Sequence, residues 1–245
     1  MKKITALLSL ILLLVACDVV QDVAKTASDT VNTSSGSGQS APKLTNDEVI
    51  AGLKEALTVG IDSTVSTVSA VGGFEKNQLI RLALPESAKD LKEQAVKWGL
   101  EGQVEKVEKT MNEAAELASK EAKDIFVNAI KNMSVQDGFA ILNGGEHAAT
   151  DFLKKQTSAD LTAKFQPIIH NALEKVQLTK YWEPVVSKYN KYAKLAGKTE
   201  VEENLEKYVN DKALDALFLM LSKEEEKIRK DPVAQVTDLL KKVFG

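Results

Sequence analysis

Val104-Glu105-Lys106-Val107-Glu108-Lys109-Thr110-Met111-Asn112-Glu113-Ala114-Ala115-Glu116-Leu117-Ala118 decides the fold class. Val104, Val107, Met111, Ala115 and Ala118, continued by Ala122 and Ile125, follow alternating steps of three and four. That spacing draws one apolar stripe along a helix. It predicts a long helix running to Met133. The alanines at its centre let a neighbour pack close, so it is expected to be the central helix of the domain.

Upstream, Thr45-Asn46-Asp47-Glu48 has capping-box spacing and opens a helix carrying Val49, Leu53, Leu57, Ile61, Val65 and Val68. Gly72-Gly73 ends it. Leu79-Ile80-Arg81-Leu82-Ala83-Leu84-Pro85 is a short apolar run, and proline biases Leu84 away from helix. No strand partner stands elsewhere, so at most one short β-ribbon is expected. Ser87 reads as the N-cap of a helix through Leu91, Ala95 and Trp98, stopped by Gly99.

Downstream, Ser134-Val135-Gln136-Asp137 is another capping start, and Gly144-Gly145 ends its helix. A helix from Glu146 to about Lys155 follows. Ser158 then caps one carrying Leu161, Phe165, Ile169 and Leu173, which Pro167 should kink or restart. Tyr181 to Leu195 is the next, ended by Gly197. Val201–Val209 and a helix lined by Leu214, Leu217, Leu221 and Ile228 follow. Asp231-Pro232 opens a last helix with Val233, Val236, Leu239, Leu240 and Val243. The expectation is all-α: a single domain over residues 45–245, about eight or nine helices around the long central one.

The N-terminus predicts location. Lys2 and Lys3 precede an apolar run from Ile4 that closes on Leu14-Val15-Ala16-Cys17. The run is short of the ~20 residues of a membrane span and has the order of a secretion signal. A cysteine at its exit resembles the signal of a bacterial lipoprotein. This gives a signal peptide over residues 1–16, lipidation at Cys17 and a flexible linker over residues 17–44, rich in serine and glycine at residues 34–40. The protein is expected in the cell envelope, facing the periplasm and tethered to the membrane by its lipid. Asp18, directly after the cysteine, resembles a signal for retention in the inner membrane.

The chain holds 32 basic and 35 acidic residues and one cysteine. No Lys/Arg cluster stands apart from neighbouring carboxylates, which argues against a nucleic-acid partner. With the lone thiol given to lipid, no disulfide is available and the domain must rest on its apolar core.

The motifs tested for chemistry are weak. Gly197-Lys198-Thr199 lacks the first glycine of a phosphate loop, since Tyr192 stands there. His147 and His170 are the only histidines, and neither belongs to a His-Glu-x-x-His or Glu-x-x-His unit. No cofactor or metal is predicted. Glu225 and Arg229 read as an i,i+4 pair on a charged helix face, worth a few tenths of a kcal/mol if exposed. Arg81 lies in an apolar run and needs a carboxylate such as Glu113, Glu116 or Asp137, or else a ligand.

Gly52-Leu53-Lys54-Glu55-Ala56-Leu57, Met111-Asn112-Glu113-Ala114-Ala115-Glu116, Ala148-Ala149-Thr150 and Lys212-Ala213-Leu214-Asp215-Ala216-Leu217-Phe218 recur in a joint order. With Glu225 to Pro232 and Leu240 to Gly245, they resemble the bacterial family catalogued as domain of unknown function 4197. The resemblance runs from about residue 48 to the last residue. It implies an exported, mostly helical domain and brings no activity.

The first functional expectation is therefore a non-catalytic, membrane-anchored periplasmic domain that binds a protein partner or a small apolar ligand. The alternative is a hydrolase-like or metal-dependent enzyme in which His147 works with Asp151, Glu116 or Asp137. The candidate ligand pocket is Arg81, Glu116, Asp137, His147 and Asp151.

Overall fold

The computed structural model describes residues 45–175, 178–201 and 204–231. Cys17, the linker and the predicted last helix lie outside them. Eight α-helices are found among the described residues: α1 (Asn46–Val68), α2 (Lys89–Lys97), α3 (Glu101–Ser119), α4 (Ala122–Lys131), α5 (Val135–Leu142), α6 (Ala148–Lys175), α7 (Leu178–Ala196) and α8 (Glu206–Lys230). There is no strand among them, and the protein is all-α.

Local chemistry explains most helix starts and stops. Thr45 accepts from the Glu48 N–H while the Glu48 carboxylate takes the Thr45 N–H, a closed capping box. Ser134 and Asp137 form a second one at α5. Gly99 and Gly197 follow α2 and α7 with φ of 71° and 67°.

The long helix predicted from Val104 to Met133 is two helices. Nothing in its apolar stripe marks the break, but the Ser119 hydroxyl donates to the Ala115 carbonyl at 2.8 Å in the last turn of α3. After it, α4 buries Ala122, Phe126 and Ile130 and packs against α1 and α6, while α3 packs against α6, α7 and α8. Among the described residues the longest helix is α6, with 28 residues, formed where two helices were predicted. Ser158 caps nothing and donates to the Lys154 carbonyl. Pro167 stays inside the helix because it lies on the solvent face, where water can serve the carbonyl one turn back. Likewise Val201–Val209 and the next predicted helix give way to one helix, α8, starting at Glu206. Ser87 lies inside a 3-10 turn, Glu86–Ala88, so α2 starts later than predicted.

The run Leu79–Pro85 has no strand partner and finds its hydrogen bonds on α3 instead. Glu108, Asn112 and Glu116 stand one turn apart on one face of α3, and all three are buried. Asn112 pairs with both backbone groups of Leu82, and Glu108 accepts the Leu84 N–H at 3.3 Å. Glu116 accepts from Gly72 N–H at 3.1 Å and Phe74 N–H at 3.0 Å. The Tyr208 hydroxyl donates to the Ala83 carbonyl. A buried backbone must pair its polar groups, and here one helix supplies side chains in place of a second strand. Ile80, Leu82 and Leu84 are thereby held in the main core with Phe74, Met111, Phe165, Trp182 and Tyr189. Leu53, Met133, Ile141 and Ala149 form a smaller cluster where α5 meets α1 and α6.

Candidate functional site

A concavity of about 260 Å³ opens beside this smaller cluster. One wall is α1, through Leu53, Ala56, Leu57 and Gly60. Ile141 and Leu142 close it from the end of α5, and Ala149 and Leu153 from the start of α6. Leu221 and Ile228 of α8 complete it. The lining is mainly aliphatic. Its size lies just under the ~300–1,000 Å³ of typical small-molecule sites. Gly60 lets α8 come close, because a Cβ there would stand 3.2 Å from Ile228 Cδ1.

One end of the cavity is polar and tightly organised. Glu225 is buried, and its carboxylate accepts from the Ala149 N–H at 3.0 Å, the Thr150 N–H at 2.8 Å and the Thr150 hydroxyl at 2.8 Å. These N–H groups are the unpaired donors of the first turn of α6. The sequence before α6, Gly144-Gly145-Glu146-His147, offers no ordinary N-cap, so the cap arrives from α8. A carboxylate there also meets the positive end of the helix dipole. Arg229 donates to Glu225 Oε1 through Nε and Nη2, at 3.0 and 2.8 Å, and through Nη2 to the Ile141 carbonyl at 3.1 Å. One arginine thus joins the C-terminal end of α5 to the Glu225 cap. The pair read from the sequence as an exposed i,i+4 contact forms, but it is built into the fold. Its i,i+4 spacing was visible in the sequence. The burial of Glu225 was not, because that depends on contacts about 75 residues away.

The five residues singled out as a ligand pocket lie elsewhere. Arg81 is half-exposed and meets Glu108 at 3.5 Å, not Glu113, Glu116 or Asp137. Lys92 reaches the same carboxylate at 2.6 Å. Glu116 is spent on the Gly72–Phe74 turn. Asp137 caps α5, and the Ser134 hydroxyl and N–H hold its carboxyl below the usual range. His147 stands 3.8 Å from Glu226, whose carboxyl Lys223 holds low. Asp151 is exposed in the first turn of α6. Among the described residues no hydrogen bond or ion pair joins any two of the five, and none of the five lines the apolar cavity. Asp137 alone lines a second, more polar groove of about 340 Å³ with Asn128, Asn132, Gln156 and Asp160. Among the described residues no group of three or more His, Cys, Asp or Glu could hold a metal ion, and no helix is long and apolar enough to cross a membrane.

The other histidine bridges two helices. His170 Nδ1 lies 2.8 Å from Glu206 on α8, and Nε2 lies 3.6 Å from Glu174 on α6. The hydrogen bond to Glu206, with both carboxylate charges, raises the imidazole above its ordinary value of 6.5.

Set against known proteins, residues 43–245 match the model of a family described as "Protein of unknown function (DUF4197)". No curated protein and no solved structure matches the chain.

Proposed function

The chain belongs to the DUF4197 family of proteins of unknown function, and we propose that it is a lipid-anchored, periplasm-facing domain that binds a small apolar ligand without transforming it. The observation that carries this reading is the aliphatic cavity between α1, α5, α6 and α8. Burying apolar surface yields ~25 cal/mol per Å², so an aliphatic chain or small ring of matching size has a driving force there. The saturated Glu225–Arg229 pair gives the cavity a fixed polar end. Neither residue is placed as a reagent, since the Glu225 oxygens already serve α6 and Arg229. Cys17 supplies the anchor and residues 17–44 the tether, with Asp18 favouring the inner membrane.

Native mass spectrometry of the chain purified from membranes tests the reading. The expected result is a co-purifying apolar molecule, lost in an Ala56→Phe variant that fills the cavity and keeps its helical circular dichroism. A chain with no bound mass and no affinity for apolar dyes overturns it.

A further inference from the structure

The Glu225–Arg229 pair is saturated on its carboxylate and stops one nitrogen short on its guanidinium. Glu225 Oε1 accepts from the Ala149 N–H and from Arg229, and Oε2 accepts from the N–H and the hydroxyl of Thr150. An arginine carries five N–H groups in a planar fork. Nε and Nη2 each give one to Glu225, and the second N–H of Nη2 goes to the Ile141 carbonyl. The two N–H groups of Nη1 have no acceptor among the described residues. Because the fork is rigid, one of them runs parallel to the bond that Nη2 makes to Ile141. Ile141 and Arg229 both line the cavity, and the Arg229 side chain is 30% exposed. An oxygen held by Nη1 would therefore sit at the polar end of the aliphatic walls.

The surroundings of Nη1 say which kind of oxygen fits. The Ile141 carbonyl already accepts from Arg229 and, at 3.3 Å, from the Gly144 N–H. Both acceptors that flank the guanidinium are filled, so this end of the cavity offers donors. An alcohol would bring a hydroxyl hydrogen with nothing to receive it, and an unmet buried donor is costly. Charge is balanced too. Glu225 is matched by Arg229, and Glu224, which also lines the cavity, is matched by Lys227 at 2.8 Å. A carboxylate head would add a charge without a counter-ion, and an ammonium head would add a cation beside Arg229.

We propose that the ligand of this cavity is a small aliphatic molecule ending in one uncharged carbonyl oxygen, a ketone or an ester, which accepts from Arg229 Nη1 beside the Ile141 carbonyl. This rests on the cavity being a site for an apolar ligand, and it adds the polar group that the ligand carries. The aliphatic walls supply non-directional affinity, and Nη1 selects among head groups of equal chain length.

Eight-carbon probes on the mature chain with Cys17→Ser test it, read by methyl NMR at Ile141 and Leu153, two walls of the cavity. Methyl hexyl ketone should bind at least ~5-fold more tightly than octanol or octanoate. Arg229→Lys keeps a cation for Glu225 and has no Nη1, so the advantage of the ketone should vanish in it while octane binds as before. Should that variant lose its helical circular dichroism, the ranking of head groups on the parent decides. Tighter binding of octanol or octanoate, equal binding of the three heads, or a ketone advantage that survives in a folded Arg229→Lys overturns the proposal and leaves the apolar-ligand reading standing. If no probe, octane included, shifts either methyl, that reading falls and the proposal with it.

Discussion

The side-chain amide of Asn112 closes a ring with the backbone of Leu82: the Leu82 N–H donates to Oδ1 at 2.9 Å, and Nδ2 donates to the Leu82 carbonyl at 2.7 Å. Asn112 itself is fully buried. A helix side chain here does what a neighbouring strand would do. The apolar run from Ile80 to Leu84 can thus be irregular and still lie in the core.

Replacing Asn112 with alanine leaves two buried backbone groups without partners. Each such group costs ~1–3 kcal/mol, so Asn112→Ala should lose about 2–4 kcal/mol in urea unfolding. The midpoint should fall with little change in slope. Asn112→Asp keeps the acceptor for the Leu82 N–H and should fall between parent and alanine. An alanine variant as stable as the parent would show that Asn112 does not hold the segment.

Glu225 and Glu226 are adjacent in sequence and opposite in consequence. Glu225 is buried, caps α6 and pairs with a partly exposed Arg229, while Glu226 meets Lys223 on the surface. Removing Glu225 leaves the buried Ala149 and Thr150 N–H groups unpaired, at ~1–3 kcal/mol each, and surface ion pairs contribute ~0–1 kcal/mol. Glu225→Ala should therefore lower stability severely and loosen the start of α6, read as faster amide exchange at Ala149 and Thr150. Glu226→Ala should change stability by less than ~1 kcal/mol. Equal effects of the two substitutions would contradict the assignment of the cap.

These two sites mark what could be read from the chain. The helical class followed from apolar spacing, and the starts at Asn46 and Val135 followed from four-residue capping boxes, because both signals are local. The break at Ser119 and the fusion across Ser158 were missed. Ser119 and Ser158 make the same kind of bond to the carbonyl four residues back, yet one ends a helix and the other does not. The difference lies in what α4 and α6 must bury, which the local sequence does not carry. The five candidate pocket residues are dispersed for a related reason. Glu116 on α3 reads as a candidate ligand in sequence, but the irregular backbone of Gly72–Phe74 consumes its carboxylate.

His170 should make stability depend on pH. Its folded pKa is raised above the ordinary 6.5 by Glu206, then by the charges of Glu206 and Glu174. A raised pKa means that the folded state holds the proton more tightly than the unfolded chain. The stabilisation is complete below the unfolded value and is lost as pH rises through the folded one. Relative to His170→Gln, the parent should gain stability as pH falls through the raised folded value and show no advantage at alkaline pH. Paired thermal melts across that range check it. An advantage that grew with pH would reverse the sign and remove the Glu206 bond as its cause.

Cys17→Ser should release the protein from membranes. Each buried acyl CH₂ contributes ~0.8 kcal/mol, and more than one chain is needed for stable anchoring. A lipidated Cys17 should therefore resist high salt and alkaline washing. Acidic residues outnumber basic ones, 35 to 32, so attraction to anionic lipid headgroups offers no substitute hold. The serine variant should lose metabolic labelling by fatty acid and move to the soluble fraction, with the circular dichroism of its helices unchanged. Should the variant stay on membranes through the salt wash, the anchor lies somewhere other than Cys17, and residues 17–44 would not be the tether of this domain.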